Sequence, residues 1–458
     1  MTGFALKLQL FNPERKNITM KQDDKKNWYR SRYDAFQKSL NGHVAAPARE
    51  IHKLGLAHFN EYDFPTTKHE DWKYTSVEPI LQHQFEPELV YPKDKLSQKT
   101  FSSLPLNDLS THRIVWINGH FSPEFSSLTQ LPKGLTIKSL AAAAIENSGL
   151  VFQHLTQYAG VEKNIFTALN SAFLMDGAFV SIAENAIIEK PVHLMFIAVS
   201  GNQPALIQPW NLIVAGKHSQ ATIVESYVAA GQETYFTNAV TEIFTDENAV
   251  LDHHKIQLES PNAFHIGNMH IHQQRSSNFT SNLFSFGAAL ARNEAATELD
   301  GEGIESRLNG VYVVRDHQHV DNRTFIDHAK PHCHSFEVYK GILADQSTAV
   351  FNGKILVRQD AQKTDAKQSN HALLLSKDAT INTKPQLEIF ADDVKCTHGA
   401  TVGQIDAEML FYLRARGLGK QEAENLLTQA FAGSVVEQVR YEPLREELNK
   451  ILLERLKK

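Results

Sequence analysis

The side chains in this sequence best equipped for chemistry are its histidines and its two cysteines. Ten of the 22 histidines lie between Leu251 and His334: His253, His254, His265, His270, His272, His317, His319, His328, His332 and His334. On a strand, residues i and i+2 project from one face, so His270 with His272, or His317 with His319, could offer two imidazoles to one divalent ion. The same spacing also suits solvent-facing strand positions with no ligand role. Cys333 sits in Pro331-His332-Cys333-His334. Adjacent strand residues alternate faces and cannot all chelate one metal, so Cys333 reads as a buried structural thiol. The other thiol lies in Asp392-Asp393-Val394-Lys395-Cys396-Thr397-His398-Gly399. Cys396 and His398 would share a face if this segment is a strand, setting a soft sulfur beside a borderline nitrogen. Two ligands fall short of the roughly four that a closed iron or zinc site needs. If the pair handles metal, the other ligands come from another chain; otherwise it is a satisfied strand-end pair.

Several chemistries have nothing to rest on. No Gly-x-x-x-x-Gly-Lys-Ser/Thr or Gly-x-Gly-x-x-Gly string occurs, so no phosphate cradle is encoded. No Gly-x-Ser-x-Gly elbow supports a serine hydrolase. The formal charge of −6 over 458 residues gives no global basic field, which disfavours nucleic acid and anionic membranes as partners. No apolar run approaches the ~18 residues of a membrane span. Met1 to Lys26 lacks the apolar segment and cleavage site of a signal peptide, so a cytoplasmic chain is expected. Two cysteines also exclude a disulfide framework.

The elements that would position these residues fall into three regions: 1–177 largely helical, 178–405 rich in β signals, and 406–458 helical. In the first, Ile51, Leu54, Leu56 and Phe59 recur at helical spacing after Pro47, Ser139 is an N-cap for a helix running towards Gly149, and Phe166–Phe173 suits one more short helix. Residues 76–138 are ambiguous. From Ala178, short Val-, Ile-, Phe- and Thr-rich runs alternate with polar turns. A weak repeat recurs at Ala186, Ala221, Ala249, Ala349 and Ala379, with steps of 35, 28 and 30 residues where it is unbroken and a gap of 100. A period near 30 fits a β-solenoid, with Ile187, Ile223, Leu251 and Phe351 as interior candidates; a β-sandwich is the alternative. After Asp406, a candidate N-cap, Met409, Leu410, Tyr412 and Leu413 supply an apolar face and Gly417 a C′ residue. A second helix is read from about Gln421 to Phe431, ended near Gly433, and a third after Pro443, with Leu444, Leu448, Ile451, Leu452 and Leu456 on one stripe.

Long strings in the chain resemble one family. Asn382-Thr383-Lys384-Pro385-Gln386-Leu387-Glu388-Ile389-Phe390-Ala391 runs on through Cys396-Thr397-His398-Gly399-Ala400-Thr401-Val402-Gly403-Gln404. It is similar to the SufB/SufD family of iron–sulfur cluster assembly proteins, and to its SufD branch in particular. So are Thr66-Thr67-Lys68-His69-Glu70-Asp71-Trp72-Lys73-Tyr74-Thr75, Asp327-His328-Ala329-Lys330-Pro331-His332-Cys333, Tyr339-Lys340-Gly341-Ile342-Leu343 and Leu410-Phe411-Tyr412-Leu413-Arg414-Ala415-Arg416-Gly417.

The resemblance implies a mainly β fold, a right-handed parallel β-helix core between helical terminal regions. It implies pairing with a SufB-like subunit through the β-helix. It further implies docking of a SufC-like ATPase on the C-terminal helical region, with Leu410, Tyr412, Leu413, Arg414 and Arg416 as candidates. The ATP site would belong to SufC, so this chain is expected to be a non-catalytic subunit. SufB-like chains carry a scaffold cysteine in the segment matching Gln368–Leu375, where this chain has Asn370. In SufD-like chains the histidine matching His398 faces that cysteine across the interface, with Cys396 adjacent. The expected cofactor state is therefore none in the isolated chain and a transient Fe–S cluster or iron at the interface, with His398 as the metal candidate. A homodimer when SufB is absent stays open, as does a purely architectural role without cluster or iron ligands. A metal-dependent enzyme built on the His-x-His pairs would leave the family strings unexplained.

Overall fold

The structure, a computed structural model, describes residues 22–40, 46–201 and 203–456; what the sequence suggests for residues 1–21 and 41–45 lies outside them. Helix Ala46–Glu61 packs on helix Ile165–Ala172, every residue of which is buried. Gly55 permits that approach, since a Cβ there would lie 2.4 Å from the backbone nitrogen of Ala172. Ser139 caps helix Leu140–Glu146 by accepting from the Ala142 amide. That helix stops at Asn147, and a separate one, Ser148–His154, follows.

The β region is a parallel solenoid of two facing sheets. One runs through eight parallel strands, from Ala178–Ile182 through Trp210–Ala215 and on to Thr348–Val357 and Thr380–Ile389, with the short parallel strands Ala205–Ile207 and Glu86–Pro87 attached beside them. The other holds nine, from His112–Ile117 and Val192–Ala198 to Asp365–Leu374 and Lys395–Gly403. From Trp210–Ala215 on, successive strands alternate between the sheets, so each coil gives one strand to each. The ambiguous segment 76–138 thus contributes strand His112–Ile117, parallel to Val192–Ala198.

Helices cover both outer faces. Phe166, Leu169 and Trp210 pack with Phe236, Val240, Phe264 and Leu290 on one sheet. Val435, Val436, Leu444, Leu448 and Leu452 pack with Val224, Ile256, Val311, Val313 and Ile342 on the other. The third cluster fills the interior between the sheets and includes Ile223, Leu251, Leu308, Val320, Phe351 and Ile355.

The ~30-residue period is real, but its markers slip in phase. In register, Leu251 lies beside Ala221, so Ala249 matches Ser219. Ile381 likewise pairs with Ala349, so Ala379 matches Ser347. Two-residue slips keep the same face of a strand, which is why the slipped alanines mimic a repeat. The true marker is a left-handed residue two positions before strands of the second sheet: His218, Asn248, Ser276, Gly303, His332 and Lys363. The residue after it points inward, and Cys333 occupies that place. Ile187 departs from expectation: it is 66% exposed, while its neighbour Ile188 is buried.

The C-terminal helices follow the sequence with one change. Asp406 accepts from the Glu408 and Met409 amides, and Gly417 is left-handed at φ +100°. The second helix does not stop at Gly433; it runs Lys420–Val436. Burial of Val435 and Val436 on the sheet outweighs the ~1 kcal/mol cost of an internal glycine. The third helix, Glu442–Leu456, buries the whole expected stripe.

The segment around Trp72 straps the N-terminal region to the solenoid. Arg292 stacks 3.6 Å over the Trp72 ring, Thr75 donates to Asp321 at 2.7 Å, and Asp71 and Glu70 pair with Arg323 and Lys384.

Candidate functional site

The last strand of the second sheet, Lys395–Gly403, pairs only with Asp365–Leu374 among the described residues, so its other edge is open. Thr380–Ile389 ends the facing sheet in the same way. The two open edges differ in kind. Thr380–Ile389 carries Lys384, Pro385 and Glu388, and proline removes a ladder donor. Lys395–Gly403 has no proline and no charged residue after Lys395, so it presents a continuous row of backbone donors and acceptors. Ile389, Phe390, Val402 and Leu375 add exposed apolar surface around this end.

Cys396, His398, Ala400 and Val402 lie in register with Ala366, Gln368, Asn370 and Ala372, all buried on the interior face. Cys396 and His398 therefore share one face at the mouth of the solenoid. Cys396 is half-buried and packs against the interior cluster; His398 is exposed. Burial pushes the Cys396 thiol up, so at neutral pH the sulfur keeps its proton and is a poor ligand or nucleophile until a positive charge arrives. Below His398 the interior row continues to Gln368 and Glu337. Glu337 is buried, and that burial raises its carboxyl to about 7.

The C-terminal helix Ala407–Ala415 has no buried residue. Of the residues expected there, Tyr412, Arg414 and Arg416 are exposed, while Leu410 and Leu413 are half-buried. Leu410 turns towards Lys420, Glu424 and Thr428. Leu413 joins an open apolar groove with Met409, Phe411, Tyr412, Leu426 and Leu427. Phe411, 74% exposed, is its most prominent member. The sequence signal for Phe411 and Leu426 was the excess of large apolar side chains over what one packed stripe can bury.

The other candidates do not assemble. Among the described residues no three His, Cys, Asp or Glu side chains converge as a metal would require. His272 lies under the Tyr158 ring and 3.4 Å from Glu298; His319 meets Thr75 at 2.9 Å; His317, His332 and His334 are exposed. Cys333 is buried, donates to the Gly301 carbonyl at 3.1 Å, and is pushed by burial to about 11. A buried charge cluster absent from the sequence reading fills the middle coils. His253 Nε2 lies 3.2 Å from Glu225, His265 Nδ1 2.8 Å from Glu259, and Lys255 Nζ 3.0 Å from His265 Nε2. Its acids and bases lie against one another, and all of them are buried in the interior.

Comparison with known proteins bears on this architecture. Residues 196–431 match the family model described as "SUF system FeS cluster assembly, SufBD core domain", and 23–194 match "SufBD protein N-terminal region". An iron–sulfur cluster assembly SufBD family protein of Synechocystis is 34% identical over 82% of this chain and 84% of its own. The iron–sulfur cluster assembly protein SufD of Escherichia coli is 33% identical over 84% and 87%. SufD of Bacillus subtilis is 28% identical over 85% and 89%. With both models matched in order and relatives aligned over most of their length, this chain is SufD-like, and the protein belongs to the SufBD family of the SUF iron–sulfur cluster assembly system.

Proposed function

We propose that this chain is a non-catalytic half of a SUF assembly complex. It pairs through the open end of its solenoid with a SufB-like subunit, and its C-terminal helices carry a SufC-like ATPase. At the shared interface it offers His398 to iron or a nascent Fe–S cluster, which is cargo. The observation that carries the reading is the edge strand Lys395–Gly403, whose backbone is unpaired among the described residues and whose mouth-facing row holds Cys396 and His398. Two donors at an unpaired edge are half of a site and half of a sheet, and a partner strand completes both.

The raised Cys396 thiol favours His398 as the working donor; in the architectural alternative neither residue touches metal. The deciding experiment is co-expression of wild type and His398→Ala with SufB-like and SufC-like partners, followed by iron and sulfide analysis of the purified complex. Cluster content is expected to fall severalfold in His398→Ala while the complex still assembles. Its thermal midpoint should hardly move, because surface substitutions usually stay within about 0.5 kcal/mol. Full cluster content in the variant refutes the ligand role and leaves the architectural one.

A further inference from the structure

The mouth of the solenoid has a second layer. Gln368 lies directly beneath His398 in the inward row, and Glu337 directly beneath Gln368; parallel strands stand about 4.8 Å apart. Both are almost fully buried, at 3% and 1% exposure. The Gln368 Nε2 donates to Glu337 Oε2, while Gln368 Oε1 has no partner among the described residues. Gly353 on the facing sheet makes room for this arrangement, since a Cβ there would lie 2.2 Å from the Gln368 Nε2. The amide is therefore fixed at one end by a carboxyl acceptor and by packing, and its carbonyl is left over.

We propose that Gln368, held by Glu337, is a positioning residue for His398. Its Oε1 accepts the N–H of the inner imidazole nitrogen, fixing one neutral tautomer and directing the lone pair of the other nitrogen out of the mouth. A neutral imidazole has one donor and one acceptor, so engaging the donor inward decides which nitrogen can ligate. Metal-binding histidines commonly give their second N–H to a carbonyl or carboxylate in this way. Here the acceptor is an amide carbonyl, and the carboxyl stands one coil deeper, where it fixes the amide without charging the mouth. Leaving Oε1 unpaired in the interior is costly, and His398 is the in-register side chain next to it on the open side.

The inference rests on the proposed role of His398, and its test separates the two. The full-length chain labelled with 15N-histidine is studied by long-range 1H–15N correlation at pH 8, with His398 assigned by its loss in His398→Ala. Wild type should show His398 as a single tautomer. Gln368→Met, and Gly353→Ala by displacing the amide, should shift it to the mixed-tautomer pattern of a solvated ring. Glu337→Gln, which keeps an acceptor for the Gln368 amide, should retain the single tautomer. In the complex with SufB-like and SufC-like partners, Gln368→Met should weaken iron(II) binding about tenfold, the usual scale for losing such a partner. An unchanged His398 signal in Gln368→Met overturns the positioning role whatever the iron content. If Gln368→Met does not fold, the contrast between Gly353→Ala and Glu337→Gln decides in its place. Undiminished iron in His398→Ala, with the tautomer shift present, would instead overturn the ligand reading.

Discussion

Glu225 and Glu337 face the same interior, yet their carboxyls are displaced in opposite directions. Burial pushes both up. At Glu225 the His253 imidazole, the nearby Lys255 charge and the Tyr227 hydroxyl more than offset it and bring the group to about 2; at Glu337 the Thr324 hydroxyl and the Gln368 amide do not, and the group rests at about 7. A carboxyl raised from an ordinary 4.5 favours folding fully below about pH 4.5, and that contribution is lost as pH climbs towards 7. The Glu337→Gln chain should therefore gain stability on wild type across this window, by up to about 3 kcal/mol at 1.36 kcal/mol per unit, and hold the gain above it. Urea unfolding midpoints of both chains between pH 5 and 8 check this; parallel curves would sink it. Single residues were unevenly legible in the sequence. The Cys396–His398 spacing was readable because strand parity is fixed at two. The layer beneath was not, since Glu337 and Gln368 come from coils about 30 residues apart and only the register brings them together.

The C-terminal helices carry two kinds of surface that a truncation would confuse. Helix Glu442–Leu456 buries Leu444, Leu448 and Leu452 on the sheet, so removing 406–458 would strip a hydrophobic face from the solenoid as well as any docking surface. Point changes separate the roles. Leu448→Ala should cost about 2–5 kcal/mol, as buried leucine deletions do, visible as a lowered thermal midpoint. Phe411→Ser, by contrast, should leave the midpoint within about 0.5 kcal/mol and weaken capture of a SufC-like ATPase, measured by calorimetric titration. Normal ATPase affinity in Phe411→Ser would show that the groove is not the docking surface. At this scale the caps were legible: Asp406, Ser139 and Gly417 each do what their chemistry suggests. The stop at Gly433 was misread because tertiary burial of Val435 and Val436 overrode local propensity. Ile187 was misplaced for a related reason: it makes only an isolated bridge to Gln220 between two strands, and a run of two apolar residues in such a connection does not say which one turns inward.

For the molecule as a whole, the open end should govern association. An exposed, unprotected strand edge pairs with whatever matching edge it meets, including a second copy of this chain. Light scattering on the isolated chain should show a dimer that Phe390→Lys with Val402→Lys disperses, and an equimolar SufB-like partner should displace it. A monomer at all concentrations would argue that the edge needs the partner's own side chains. The helix–β–helix order and the period near 30 were both readable from the sequence, because each coil repeats the same burial problem. The early strands before 178 were not, since His112–Ile117 is covered on both faces and lacks the alternation that betrays a half-exposed strand. The strap at Trp72 was equally hidden. Its partners lie far down the chain, with Lys384 separated from Glu70 by 314 residues. During synthesis at about 5–20 residues per second, the ribosome therefore delivers Glu70 and Trp72 roughly 15 to 60 s before the last of the groups that hold them. Arg292 follows Trp72 by 220 residues, so for roughly 11 to 44 s of that time the indole face has no guanidinium to cover it, and the nascent chain offers a sticky N-terminal segment that a holding chaperone would be well placed to guard.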